Sequence, residues 1–99
     1  TLAEVENKAE NCKKAISAYE AALTIYTLKG FPMQYAMTQN NLGAAYRTLA
    51  EVENKAENCK LARVAYDEAL KIYTEEKFPE IYPRVAGNLQ GLLDFCKDG

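Results

Sequence analysis

Small and apolar side chains recur at three- or four-residue spacing from Lys8 to about Leu28: Ala9, Cys12, Ala15, Ala18 or Tyr19, Ala22, and Ile25 or Tyr26. A single buried stripe on an amphipathic helix produces that spacing. The stripe returns as Ala56, Cys59, Ala62, Ala65 or Tyr66, Ala69, and Ile72 or Tyr73, which predicts a second helix of the same kind. Between the two, Met37, Leu42, Ala45, Tyr46 and Leu49 predict a different helix from about Met33 to Glu51, with a counterpart from about Glu80 to Lys97. Gly and Pro act as punctuation: Gly30 and Pro32 close the first helix, and Pro79 marks the corresponding stop in the second. Phe31-Pro32 and Phe78-Pro79 should be corners, because the residue before a proline is pushed out of the α region. The expected fold class is all-α, with antiparallel helix-turn-helix units stacked as a short α-solenoid of about four helices, an extended or exchanged helix being the alternative arrangement.

Residues 50–58 contain no Gly or Pro, so one helix could propagate from Met33 to Glu76. Asn54-Lys55-Ala56-Glu57 opposes this, since a good N-cap residue with Glu three positions later resembles a capping box. We expect a turn near Val52–Asn54. Continuous helix there would let neighbouring helices be exchanged between two chains.

The chain also repeats itself. Residues 1–13, Thr-Leu-Ala-Glu-Val-Glu-Asn-Lys-Ala-Glu-Asn-Cys-Lys, recur unchanged at 48–60, and the echo runs through Tyr19, Phe31-Pro32 and Asn41-Leu42 to Tyr66, Phe78-Pro79 and Asn88-Leu89. A step of this size marks stacked supersecondary units. It divides one domain, 1–99, into units 1–47 and 48–99, and the fading of the echo after Leu89 suggests a terminal cap at about 80–97. The expectation is a piece of a repeat array, whose function is a surface rather than a pocket.

Composition narrows the function classes. Lys plus Arg number 12 against 14 for Asp plus Glu, a net charge of −2, which leaves no basic stripe to neutralise phosphates; nucleic acid is not an expected partner. No apolar run approaches the roughly 20 residues that span a bilayer, and no targeting or lipid-attachment motif is present, so the expectation is no membrane contact and a cytoplasmic location. The cysteines Cys12, Cys59 and Cys96 are odd in number and far apart, which argues against a disulfide framework. They are expected to be free packing groups, with Cys96 alone open to adventitious bridging. There is no His, no nucleophile elbow, no phosphate-cradling loop and no cofactor fingerprint, so neither catalysis, a cofactor nor a metal is expected. The acidic pairs Glu4/Glu6, Glu51/Glu53, Asp67/Glu68 and Glu75/Glu76, with Lys13, Lys14, Lys60 and Lys71, read as solvated surface. Tyr19, Tyr26, Tyr46, Tyr66 and Tyr73 fall on the apolar stripes as packing groups, and Tyr35 and Tyr82 wedge the corners.

Asn41-Leu42-Gly43-x-Ala45-Tyr46, followed by Ala62, Tyr66, Ala69-Leu70 and Pro79, resembles the tetratricopeptide repeat signature, and Ala15-Ile16, Tyr19, Ala22-Leu23 and Pro32 take the same roles in the first unit. The family period is about 34 residues, and the longer step here resembles a long-repeat variant with a Thr-Gln-Asn-Asn-Leu-Gly helix, as at Thr38–Gly43. The resemblance implies a peptide-binding or protein-binding scaffold that uses a concave face. By position that face comprises Met37, Asn40, Asn41, Ala44, Arg47 and Thr48, with Arg84 from the last helix. Asn side chains could bond an extended backbone, and the two arginines a carboxylate. The lysine-and-asparagine clamp of chaperone-binding members is missing, because Ala44, Gly87 and Gly91 occupy key sites. In the terminal unit the signature Gly and Tyr become Gln90 and Leu93.

The register implied by the resemblance is the tail of an A helix followed by B, A, B and A. The first B helix then lacks most of its partner and leaves Tyr19, Leu23 and Tyr26 partly exposed. Apolar area is worth about 25 cal/mol per Å², which predicts self-association into a homo-oligomer, a dimer in the simplest case, as the alternative role.

Overall fold

A computed structural model describes residues 1–97, in four α-helices: α1 Leu2–Leu23, α2 Pro32–Ala50, α3 Lys55–Leu70 and α4 Tyr82–Cys96. Consecutive helices pack side by side, α1 on α2, α2 on α3 and α3 on α4, with a light contact between α2 and α4. The all-α class is as expected. Two apolar clusters hold the stack. One joins Ala9, Cys12 and Ile16 of α1 to Leu42 and Leu49 of α2 and Ala65 of α3. The other centres on Ala62, Tyr66, Ala69 and Tyr73 with Ala36, Val85 and Leu92.

Helix α1 is straight where its copy is bent. Residues 2–13 are helical throughout, and Thr1 caps them with a reciprocal bond to Glu4. In the identical segment 48–60, Thr48, Leu49 and Ala50 end α2, residues 51–54 turn, and Lys55 opens α3. The turn lies where expected, but the proposed capping box does not form. Asn54 makes no side-chain cap and takes a left-handed conformation at φ 44°. Asn58 instead secures the turn from the other side, its Nδ2 donating to the Glu53 carbonyl at 3.0 Å. The expected short A-helix tail ahead of the first B helix is merged into α1.

The corners repeat bond for bond. α1 stops at Leu23 and α3 at the repeat-equivalent Leu70. Tyr26 N–H then donates to Ala22 and Tyr73 N–H to Ala69, while Phe31 N–H reaches Thr27 and Phe78 N–H reaches Thr74. Each corner is filled by an edge-on aromatic pair, Tyr26 with Phe31 at 5.6 Å and Tyr73 with Phe78 at 5.4 Å. The first helix therefore ends well before Gly30. The equivalent of Gly30 is Lys77, and both backbone N–H groups donate to the Thr hydroxyl three residues back. The same Thr bond and aromatic pair form with either residue, so the corner does not depend on glycine there. α4 starts at Tyr82, two residues later than expected, with proline in its first turn.

The cysteine expectation is overturned. Cys59 and Cys96 form a disulfide, with Cα atoms 6.1 Å apart, and only Cys12 is a free, buried thiol. Cys59 lies on α3 and Cys96 at the end of α4, so the crossing of these helices makes the pair. Burial pushes the Cys12 thiol up, against the opposing pull of Lys8, which keeps it protonated as a packing group.

Candidate partner-binding surface

α2 carries most of the candidate residues; α1 and α3 flank it, which leaves it a narrow outward strip. Asn41 and Ala44 are exposed on that strip with Thr48 half-buried beside them. With Asn11, Cys12, Ala15, Tyr19 and Ala45 they line an open groove of about 310 Å³ between α1 and α2. Its floor is apolar and its rim carries two amides. Thr48 Oγ1 donates to the Ala44 carbonyl at 3.0 Å, which turns this hydroxyl toward its own helix. Met37 is 53% exposed on the same strip, beyond the groove.

The remaining candidates lie elsewhere. Asn40 accepts from Asn88 Nδ2 at 3.4 Å, a bond that ties α2 to α4 across the inner face. Arg47 sits over the Phe95 ring at 5.7 Å, and its Nε is buried without a hydrogen-bond partner. Lys55 covers the same ring at 4.6 Å, so Phe95 takes two cations (such contacts are worth about 0.5–1 kcal/mol at exposed sites). Tyr66 lies near Arg47; burial raises its phenol and the Arg47 charge opposes that rise. Arg84 is exposed in the first turn of α4. The concave set is thus divided into a groove (Asn41, Ala44, Thr48), an interhelical bond (Asn40), an aromatic contact (Arg47) and two outlying side chains (Met37, Arg84).

Sequence reasoning passed over Asn11 and Tyr19 as groove residues. Asn11 belongs to the exposed copy of a position that is buried at Asn58, so periodicity alone gave no signal for it. Tyr19 and Leu23 pack against the α1–α2 cluster and are half-buried. The uncovered face of α1 is instead the alanine stripe: Ala18 is exposed and Ala15 and Ala22 are half-covered, whereas their copies Ala65, Ala62 and Ala69 are at most 3% exposed. Tyr26 is 37% exposed beside them. α3 lies between two helices and α1 touches only α2, which accounts for the difference.

Glu68 is the most strongly engaged carboxylate. Lys71 and Tyr35 both donate to it, and these two bonds hold its carboxyl below the usual range against the opposing effect of burial. It braces α2 to α3. Among the described residues no group of three or more His, Cys, Asp and Glu could hold a metal ion, and no helix is long and apolar enough to cross a membrane. Compared with known proteins, the chain matches no family model, no curated protein and no solved structure.

Proposed function

We propose that this chain is a non-catalytic interaction scaffold, a tetratricopeptide-like helical repeat whose α1–α2 groove holds an extended peptide segment. The observation that carries the reading is the groove itself, where the exposed amides of Asn11 and Asn41 flank an apolar floor of Ala15, Tyr19, Ala44 and Ala45. Amides on a rim can pair with both the donor and the acceptor of a peptide unit, and small floor residues leave room for the bound side chains. The Cys59–Cys96 bond favours an oxidising compartment over the cytoplasm expected from sequence.

A selection from a random peptide display library, followed by fluorescence titration of the recovered peptides, tests this. Asn41→Ala and Asn11→Ala should each weaken binding by about ten-fold, the worth of one or two hydrogen bonds, with the melting temperature unchanged. Peptides that bind both variants as well as the parent would place the site elsewhere.

A second reading, assembly through the outer face of α1, is favoured by the opened alanine stripe and by Ile25, 66% exposed next to it. Because Tyr19 and Leu23 face α2, the informative substitutions are Ala18→Glu and Tyr26→Ser. Either one should lower the solution mass if this face mediates assembly.

A further inference from the structure

One amino-acid sequence takes two backbone conformations within this chain. Residues 1–13 are helical without a break from Leu2, and the same thirteen residues at 48–60 contain a sharp turn at 51–54. Local propensity is identical in the two copies, so the bend is imposed by what surrounds the second one. Three devices hold it. Asn58 caps the Glu53 carbonyl. Lys8 of α1 grips Glu51 at 2.7 Å and Lys13 grips Glu53 at 3.1 Å. The packing of α2 on α3 fixes the rest. Against them stands Asn54 at φ 44°, a left-handed conformation that asparagine tolerates better than most residues bearing a Cβ and that continuous helix does not need. Its copy Asn7 lies in ordinary helix.

We infer that residues 51–54 are a two-state hinge, bent in the monomer and continuously helical in a dimer in which two copies exchange their α3–α4 halves. Straightening the hinge joins α2 and α3 into one helix over residues 32–70. The partner that completes each half is a second copy of this chain, because the packing contacts between α2 and the α3–α4 half are then remade between copies. These contacts include Tyr66 on Gly43, Tyr35 to Glu68, Arg47 on Phe95 and Asn40 with Asn88. The Cys59–Cys96 disulfide stays within one half and does not resist the exchange. Short hinges permit swapping, and high protein concentration draws the equilibrium toward the dimer. The inference does not depend on the peptide groove, which lies wholly in the α1–α2 half.

The test is the full chain with Asn54→Ala and Asn54→Gly, each refolded at high concentration and its mass followed by light scattering. Alanine favours helix over the left-handed region and glycine the reverse. The expectation is about a ten-fold shift per hinge, hence on the order of a hundred-fold in the dimer dissociation constant, tighter for Asn54→Ala and weaker for Asn54→Gly. In a dimer refolded from equal amounts of ¹³C-labelled and unlabelled chains, an isotope-filtered NOE should connect the Gly43 α-protons of one chain to the Tyr66 ring of the other. A dimer without that signal would be held by another surface and would overturn the inference. So would an Asn54→Ala chain that stays monomeric at all concentrations.

Discussion

The ring of Tyr66 lies directly on the backbone of Gly43: a Cβ placed there would stand 2.8 Å from two ring carbons. Gly43 has ordinary helical geometry, so the glycine serves close approach rather than an unusual turn. Tyr66 is 2% exposed at the centre of the larger cluster and has nowhere to retreat. Gly43→Ala should therefore destabilise the chain. Overpacking costs about 1–3 kcal/mol, and the better helix propensity of alanine returns about 1 kcal/mol. The net cost of up to about 2 kcal/mol corresponds to a fall in melting temperature of up to roughly 15 °C. In a Tyr66→Leu background the same substitution should be neutral or stabilising, and thermal melts of the four chains in this cycle measure the coupling.

Leu49 is to Cys12 what Cys96 is to Cys59. Leu49 and Cys12 share a cluster between α1 and α2, and the repeat-equivalent pair between α3 and α4 is the disulfide. Leu49→Cys should consequently form a second bridge, to Cys12, closing a loop of the same 37-residue separation as the first. The chain-entropy model assigns such a loop about 4 kcal/mol. We expect the oxidised variant to unfold at higher denaturant than the parent, and its reduced form at lower denaturant because the leucine packing is lost. Mass spectrometry under non-reducing conditions would show the bridge directly.

Much of this architecture was legible because the repeat states it twice. The stripe spacing gave the four helices, and the recurrence of Phe-Pro placed both corners. Helix ends were less legible. Gly30 drew the predicted end of the first helix outward, whereas Leu23 and Leu70 end their helices through an aromatic pair whose partners are several residues apart. The disulfide escaped because two of the three cysteines are repeat equivalents, which disguised the departure that mattered, Leu49 becoming Cys96. The bend at Asn54 had no unique local signature, since the same residues are straight at Asn7; packing decided between them. On α2, the outward position of Asn41 and Ala44 followed from helix periodicity, while the engagement of Arg47 and Asn40 did not, because Phe95 and Asn88 come from α4.

Glu68 links stability to pH. Its carboxyl is held below the ordinary value of 4.5 by the Lys71 and Tyr35 bonds, so its contribution is present above about pH 4.5 and lost as pH falls through the depressed folded value. Tyr35 is pushed the other way, above 10.0, by burial first and by its bond to Glu68. Its share is complete below pH 10 and lost as pH rises through the raised value. Denaturant titrations across pH should thus show stability falling at both extremes, and Glu68→Gln should flatten the acid limb. Tyr35→Phe should reduce both losses, since it removes one donor to Glu68 together with the titrating phenol.

Asn58 and Asn11 occupy the same place in the same thirteen-residue sequence, yet only one of them is structural. Asn58 is 6% exposed and donates to the Glu53 carbonyl at 3.0 Å; Asn11 is exposed on α1. Removing a buried donor leaves that carbonyl, freed by the turn, without its side-chain partner, at a cost of about 1–3 kcal/mol. A surface substitution away from such features stays within about 0.5 kcal/mol. Asn58→Ala should therefore lower the stability measured by urea unfolding by about 2 kcal/mol, and Asn11→Ala should leave it unchanged. Equal losses at the two sites would mean that the amide acts through local helix propensity, which the copies share, and the turn would then owe its shape to packing and the lysine pairs alone. An unequal result points to the cap, because the ten residues before each asparagine and the two after it are the same.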